Sequence, residues 1–315
     1  MLDELVRDAT AGDPITGLKW TKKTSRKLSW VLKRRGYLVG PDTVRRLLRQ
    51  RRYVLRANRK RLNKKRDPDR DRQMRYLARW RHAYQKAGFP VISVDAKQRE
   101  LIGNFKNPGR TWRQTRLDVL ESDYPSEAEG VAIPYGIYDL TRDEGFVVVG
   151  TSHQTPQFAV AAIRLWWIKV GRRVYPGQKH LLIEADCGGA NGNRCWLWKY
   201  GLQQLADEFG LTIIVTHLPT NASKWNPIEH KLFCHIEQNW AGQPLISYET
   251  VLKFIRTTRT ETGLRCQAYL DVNEYETGLK ITTDQKAQIN LTPHRVLPRW
   301  NYTIEPRQGA RKMEK

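Results

Sequence analysis

Long apolar runs are missing from this chain. None of its 315 residues lies in a stretch approaching the roughly eighteen apolar residues of a membrane span, and the acidic start at Met1 has no secretory pattern. No membrane partner is expected, and the location expected is the cytoplasm. Paired cysteines are missing too. The four, at positions 187, 195, 234 and 266, lack the close spacing of a zinc site and suggest no disulfide framework, so reduced and mostly buried thiols are expected. His230 and His235 fall on one predicted helix, but their i, i+5 spacing puts them on different faces and gives no shared metal site.

Acid is scarce in the first 90 residues. They hold 8 Asp and Glu against 27 Lys and Arg, a balance of +19, whereas residues 91–315 hold 24 against 28, a balance of +4. That asymmetry predicts a polyanion-binding arm joined to a nearly neutral domain, for which the 40% hydrophobic content supplies a core. Within the arm, Thr24 caps an amphipathic helix with Leu28, Val31 and Leu32 on one side. Gly36 and Gly40 mark a turn, and Pro41 opens a second helix with Val44, Leu47 and Leu48 inward. Arg45, Arg46, Arg49, Arg51 and Arg52 are left facing outward. The pattern predicts a helix-turn-helix whose DNA-reading helix spans 41–52, the alternative being a basic hairpin that grips phosphates only. Residues 56–66 read as a charged linker, and Asp67, Pro68 and Asp69 start a further basic helix with Met74, Leu77, Ala78 and Tyr84 inward, kept cationic by Arg70, Arg72, Arg75, Arg79 and Arg81.

Three carboxylates carry the chemistry of the remainder. Pro90-Val-Ile-Ser-Val-Asp95 reads as a buried strand presenting Asp95, and Leu181-Leu-Ile-Glu-Ala-Asp186 as a second strand that stops in the glycine-rich run 187–192. In Ser223-Lys-Trp-Asn-Pro-Ile-Glu229, Asn226 is placed to cap a helix and Glu229 to project from its opening turn, with Ile228, Leu232, Phe233, Ile236 and Trp240 as the apolar face. Each acid alone has a structural reading, since strand-end Asp forms turns and first-turn Glu favours the helix dipole. Together they suit hard cations: Mg²⁺ prefers carboxylate oxygens, and two ions about 3.5–4 Å apart can activate one oxygen while stabilising another. Asp95, Asp186 and Glu229 are therefore expected as metal ligands and catalytic residues for two Mg²⁺ ions, with Mn²⁺ as the alternative. Lys224, Trp225 and Asn226 are expected to hold a nearby DNA strand by charge, stacking and hydrogen bonding.

Around the acids the predicted order is β-β-β-α-β-α-β-α. Strands at 133–140 and 145–151 are joined by a turn at 141–144, a helix follows over 157–169 with Trp166 and Trp167 packed inward, and then come the Asp186 strand, a helix over 195–209 and a strand over 211–216. This is the ribonuclease H-like α/β layout, a mixed sheet in which the first and fourth strands are neighbours. The domains expected are 1–66 for the helix-turn-helix and linker, 67–89 for a connecting basic helix, 90–260 for the catalytic domain and 261–315 for a C-terminal extension.

The segments Val94-Asp95-Ala-Lys97, Leu101-Ile-Gly-Asn-Phe-Lys106, Ile133-Pro-Tyr-Gly-Ile-Tyr-Asp139, Ala185-Asp186-Cys-Gly-Gly-Ala-Asn-Gly192, Ser223 to His230 and Trp300-Asn-Tyr-Thr303 resemble the DDE transposases of the ISAzo insertion-sequence group, with the Rhodopirellula-type DDE domain. The resemblance covers almost the whole chain. It implies that Asp95, Asp186 and Glu229 form the DDE triad and that the enzyme cuts at the ends of its own element and joins them to target DNA. It also implies a form shortened at its N-terminus, with Cys187 in place of the small residue expected after the second Asp, and with residues 115–129 diverging from the pattern. DNA is the expected partner, as terminal repeats and as target, and handling two ends implies a homodimer or larger assembly on DNA. The competing expectations are a ribonuclease H-like nuclease that hydrolyses without joining, and a shortened DNA-binding remnant that represses the element.

Overall fold

The computed structural model describes residues 10–12, 19–21, 23–54 and 67–309, which belong to two compact units, Met1–Leu62 and Asn63–Lys315. In the first unit, β1 (Thr10–Gly12) pairs antiparallel with β2 (Lys19–Thr21). Helix α1 (Ser25–Arg34) begins where the Thr24 side chain accepts the Lys27 N–H, and α2 (Pro41–Gln50) begins at a proline that needs no N–H partner. Leu28, Leu32 and Val44 are buried between the two helices, and the Ser29 hydroxyl donates to the Val39 carbonyl at 2.7 Å to close the turn. The expected helix pair is present. Its second member stops at Gln50, two residues before the predicted end, and Arg52 takes a left-handed φ of 62° just beyond it. The predicted 56–66 linker lies outside the described residues.

The second unit is built on a nine-stranded sheet. Its strands are β3 (Val91–Ala96), β4 (Glu100–Ile102), β5 (Gly130–Asp139), β6 (Glu144–Gly150), β7 (His180–Ala185), β8 (Thr212–His217), β9 (Arg265–Asp271), β10 (Leu291–Pro293) and β11 (Asn301–Ile304). They lie in the order β10-β11-β8-β7-β3-β5-β6-β9, with β4 paired to β5 off this path. The central run is antiparallel from β6 through β5 to β3 and parallel from β3 through β7 to β8. Parallel neighbours need crossovers, which α4 (Pro156–Trp166) and α5 (Trp196–Phe209) supply. This is the ribonuclease H-like order. One face of the sheet packs on α4 and α5, with Trp166, Trp167 and Trp198 buried there. The other packs on a π-helical turn (Glu229–Phe233), α6 (Cys234–Asn239) and α7 (Tyr248–Thr257).

Several expectations change here. The segment expected as an extension from 261 contributes to both margins of the sheet: β9 pairs parallel with β6, and β11 pairs antiparallel with β8. β11 has only four residues and β9 is partly exposed, so neither gives a strong pattern in sequence. The expected connecting helix, α3 (Arg70–Lys86), is also part of this unit. Arg81, one of the arginines that make this helix cationic, forms a bidentate pair with the fully buried Glu184 of β7 at 2.8 and 2.5 Å. Ala78, read as an inner position, is exposed, and Gln73 is the residue buried at that interface, bonded to Asn301 and to the His217 carbonyl. Of the four cysteines, all free, Cys266 alone is buried.

Candidate active site

Strand alternation sends Ile92 and Val94 into the α4/α5 core and leaves Ser93 and Asp95 on the opposite face. Asp95 stands across from Gly136 of β5. A Cβ at position 136 would come within 2.6 Å of the Phe233 ring and 2.9 Å of Ile228. Glycine there is what allows the π-turn to lie against the strand and bring Glu229 near Asp95. Asp186 leaves the end of β7, where Ala185 pairs with Val94 of β3, so topology sets the two aspartates on adjoining strands.

Each aspartate carboxylate is held by neutral donors. The Ala96 N–H donates to Asp95 Oδ1 at 2.8 Å, and Asn226 Nδ2 donates to Oδ2 at 2.7 Å. The Ser93 hydroxyl in turn donates to Asn226 Oδ1 at 3.1 Å. Asn191 Nδ2 donates to Asp186 Oδ1 at 3.1 Å, aided by the Gly188 N–H. Below Asp186, His217 Nδ1–H donates to the Asp186 carbonyl at 2.7 Å, while His217 Nε2 accepts from the Tyr302 hydroxyl at 3.3 Å. Trp198 Nε1 donates to that hydroxyl at 3.1 Å. This buried line fixes the imidazole tautomer, and burial lowers the His217 pKa to about 4.

Burial, the Asp186 charge and the Glu229 charge push the Asp95 carboxyl well above the usual carboxylate range. Burial and Glu229 raise Asp186, and burial and Glu237 raise Glu229. Asp95 therefore senses both other acids and Asp186 senses Glu229, and no arginine or lysine is ion-paired to Asp95 or Asp186 among the described residues. Lys97 is a compensating cation for Glu229, whose pKa it lowers alongside His230. It is buried, lies 2.5 Å from Glu100 and 3.3 Å from Glu237, and sits 4.9 Å from the Trp240 ring. The Tyr135 hydroxyl is fully buried within reach of the charges of Asp95 and Asp186 and has no hydrogen-bond partner. Among the described residues no three His, Cys, Asp or Glu side chains are gathered tightly enough to enclose a metal ion unaided. An open set of hard oxygen donors is what Mg²⁺ uses, since it keeps several waters and takes one or two carboxylates together with substrate phosphate. The donors present fit that cation.

The structure brings Asp95, Asp186 and Glu229 to one region of the sheet. Asn226, read as a strand-holding residue, is buried and spends its amide on Asp95, so it orients the carboxylate and does not face a ligand. Lys224 and Trp225 are exposed; the Arg70 guanidinium lies 4.2 Å over the Trp225 ring, and His230 Nε2 is 2.7 Å from the Lys224 carbonyl, tying this turn to the helix. Arg45, Arg46, Arg49, Arg51 and Arg52 are all exposed, with Arg45 paired to Asp42 at 3.0 Å. Sequence reasoning missed Lys97, Tyr135, Asn191 and His217. Lys97, Tyr135 and Asn191 stand inside segments quoted above, so proximity to the acids was the available signal; His217 carried none.

A mixed sheet in this order, with acids at the ends of its adjoining central strands, defines the ribonuclease H-like polynucleotidyl transferases. Within that class the chain belongs to the Rhodopirellula transposase DDE domain family, whose model matches residues 1–306; it is a DDE transposase. Solved structures similar to it include a pre-cleavage Mos1 transpososome, 15% identical over 80% of this chain and 68% of that one with a TM-score of 0.45. A Mos1 transposase paired-end complex with the left transposon end is likewise 15% identical over the same shares, with a TM-score of 0.43. No curated protein matches the chain. No helix among the described residues is long and apolar enough to cross a membrane.

Proposed function

We propose that the protein hydrolyses a phosphodiester at each end of its element and transfers the freed 3′-hydroxyl to target DNA, using two Mg²⁺ ions, or Mn²⁺, held by Asp95, Asp186 and Glu229. One observation carries this reading: carboxylates from β3, β7 and the π-turn come to one region of the sheet, where the Asp186 and Glu229 charges raise Asp95 and the Glu229 charge raises Asp186, with no ion-paired base for either aspartate among the described residues. Cations bound there would supply a more acidic attacking oxygen and a stabilised leaving oxygen. Asn226, Ala96, Asn191 and Gly188 hold the aspartate oxygens in fixed directions, so the donors are oriented before a ligand arrives. A cation bound there would displace the proton that the raised Asp95 pKa retains, which would tie metal affinity to pH.

DNA enters this reading by charge. The exposed arginines of α2 grip duplex phosphates, and as a helix-turn-helix they read the terminal repeat; Lys224 and Trp225, with Arg70, hold a strand near Glu229. Joining two ends calls for a dimer or larger assembly on DNA. The functional division proposed is DNA binding by 1–66, a connection through 67–89 and catalysis from 90 onward, completed by the strands after 261. The site of action is the nucleoid.

The test is a strand-transfer assay with purified protein, Mg²⁺ and DNA bearing the element's ends. Joined products are expected, and Asp186→Asn is expected to abolish both cutting and joining, a loss of at least about 10³-fold, with DNA binding retained. Nicks without joining would turn the reading to a nuclease, binding without any cleavage to a repressing remnant. Undiminished cleavage by Asp186→Asn would remove that residue from the centre.

A further inference from the structure

Beside the Asp186 loop runs a groove of about 940 Å³ that the reaction above leaves unused. Residues 187–189 form one wall, Arg194, Trp196 and Lys199 at the start of α5 form another, and Arg299 with Trp300 close it. The wall residues divide into satisfied and unsatisfied cations. Arg299 is paired to Asp67 and Asp69 at 2.9 and 3.0 Å and lies 4.2 Å over the Trp300 ring, so it is a fixed wall. Arg194 and Lys199 have no acidic partner among the described residues. Lys199 is half-buried, lying 4.6 Å from the Trp196 ring and 5.1 Å from the Tyr302 ring. Burying an ammonium without a carboxylate is unfavourable, and here burial weakens its hold on its proton. An anionic ligand relieves that cost.

The aromatic component narrows the ligand. Trp196 is 42% exposed at the opening of α5, and a flat ring in a cationic groove offers a π-face that paired bases in a duplex cannot reach but an unpaired base can. Lys286 covers the same ring more loosely, at 5.9 Å from an exposed position, and can swing from ring to phosphate as a base stacks. The groove begins at the residue following Asp186, so a strand lying in it passes the acid centre.

We propose that this groove takes an unpaired DNA strand leading away from the cleavage position, one base stacked on Trp196 and the adjoining phosphates on Arg194 and Lys199. The assignment rests on DNA being the substrate of the acid centre. It specifies a feature of that substrate, a locally single-stranded segment.

Binding of the full chain, without metal, is measured by fluorescence anisotropy on a labelled oligothymidylate and on a duplex of equal length. Trp196→Ala is expected to weaken oligothymidylate binding about tenfold, and Arg194→Ala and Lys199→Ala each to reduce its salt slope by about 0.7. Duplex affinity is expected to stay within about twofold of wild type. Equal losses on both DNAs, or no loss on either, would overturn the assignment. Wild-type protein irradiated with 5-iodouracil-substituted oligothymidylate provides a check that needs no variant: an adduct on the Trp196 peptide is expected, and adducts confined to other peptides would also overturn it. A wild-type enzyme that cuts DNA but gives no Trp196 adduct removes only the groove. One that gives the adduct but never cuts removes the catalytic reading and leaves the groove.

Discussion

Asn226 couples the two segments that carry Asp95 and Glu229, because its amide bridges Ser93 and Asp95 from a position three residues before Glu229. Asn226→Ala removes the donor that orients one Asp95 oxygen and leaves the Ser93 hydroxyl unpaired. A stability loss of about 1–3 kcal/mol is expected in chemical denaturation, together with a fall of about 10-fold to 100-fold in Mn²⁺ affinity by calorimetry. The salt slope of DNA binding is expected to stay unchanged, since this side chain meets no phosphate; a reduced slope would restore it to the DNA surface. His217 sets an acid limit on the fold. Its pKa falls from 6.5 to about 4 on folding, so the unfolded chain binds the proton more readily. The stability it contributes is complete above pH 6.5 and is lost as pH falls toward 4, a change on the order of 3 kcal/mol. Denaturation curves at pH 7 and pH 4.5 are expected to differ accordingly, and His217→Gln to flatten that dependence.

At the scale of elements, the position of the π-turn is decided by what it packs on. Gly136 admits Phe233 and Ile228 against β5, while Lys97 reaches from the end of β3 to Glu100 and across to Glu237 on α6. The ion bridge spans the strand of Asp95 and the helix that continues from Glu229. Lys97→Met is expected to cost about 1–3 kcal/mol and to slow cleavage, while Lys97→Met combined with Glu100→Gln recovers part of the stability because the unpaired acid is gone. A double-mutant cycle giving no coupling between the two positions would refute the bridge. Much of this level was legible in sequence. The strands at 91, 130, 144, 180 and 212 announce themselves by β-branched runs between turn residues, and the glycines after Asp186 mark its exit. The partners Glu237 of α6 for Lys97 and Glu184 of β7 for Arg81 were illegible because a lysine or arginine in a basic chain gives no hint of which distant element it meets. Asn226 was misread because a cap-forming asparagine and a carboxylate-orienting one have the same local sequence.

For the whole molecule, the charge division sets how DNA affinity responds to salt. The first 90 residues carry +19 of the net +23, and the exposed arginines of α2 stand among them. Replacing Arg45, Arg46 and Arg49 with Gln in the full chain is expected to lower the slope of log K against log salt by about 0.9 for each phosphate that the variant no longer neutralises. The cleavage rate at saturating protein is expected to hold. A fallen rate at unchanged slope would mean that these arginines act at the acid centre instead.

The closing strand of the sheet has a consequence in time. β11 pairs with β8 and brings the Tyr302 hydroxyl to His217, which braces the backbone of Asp186. A ribosome has emitted all three acids long before it reaches residue 301, yet the brace beneath one of them is laid down only then. Such distant pairing is slow to form. Asp186 therefore gains its backbone support only after residue 302 has joined the sheet.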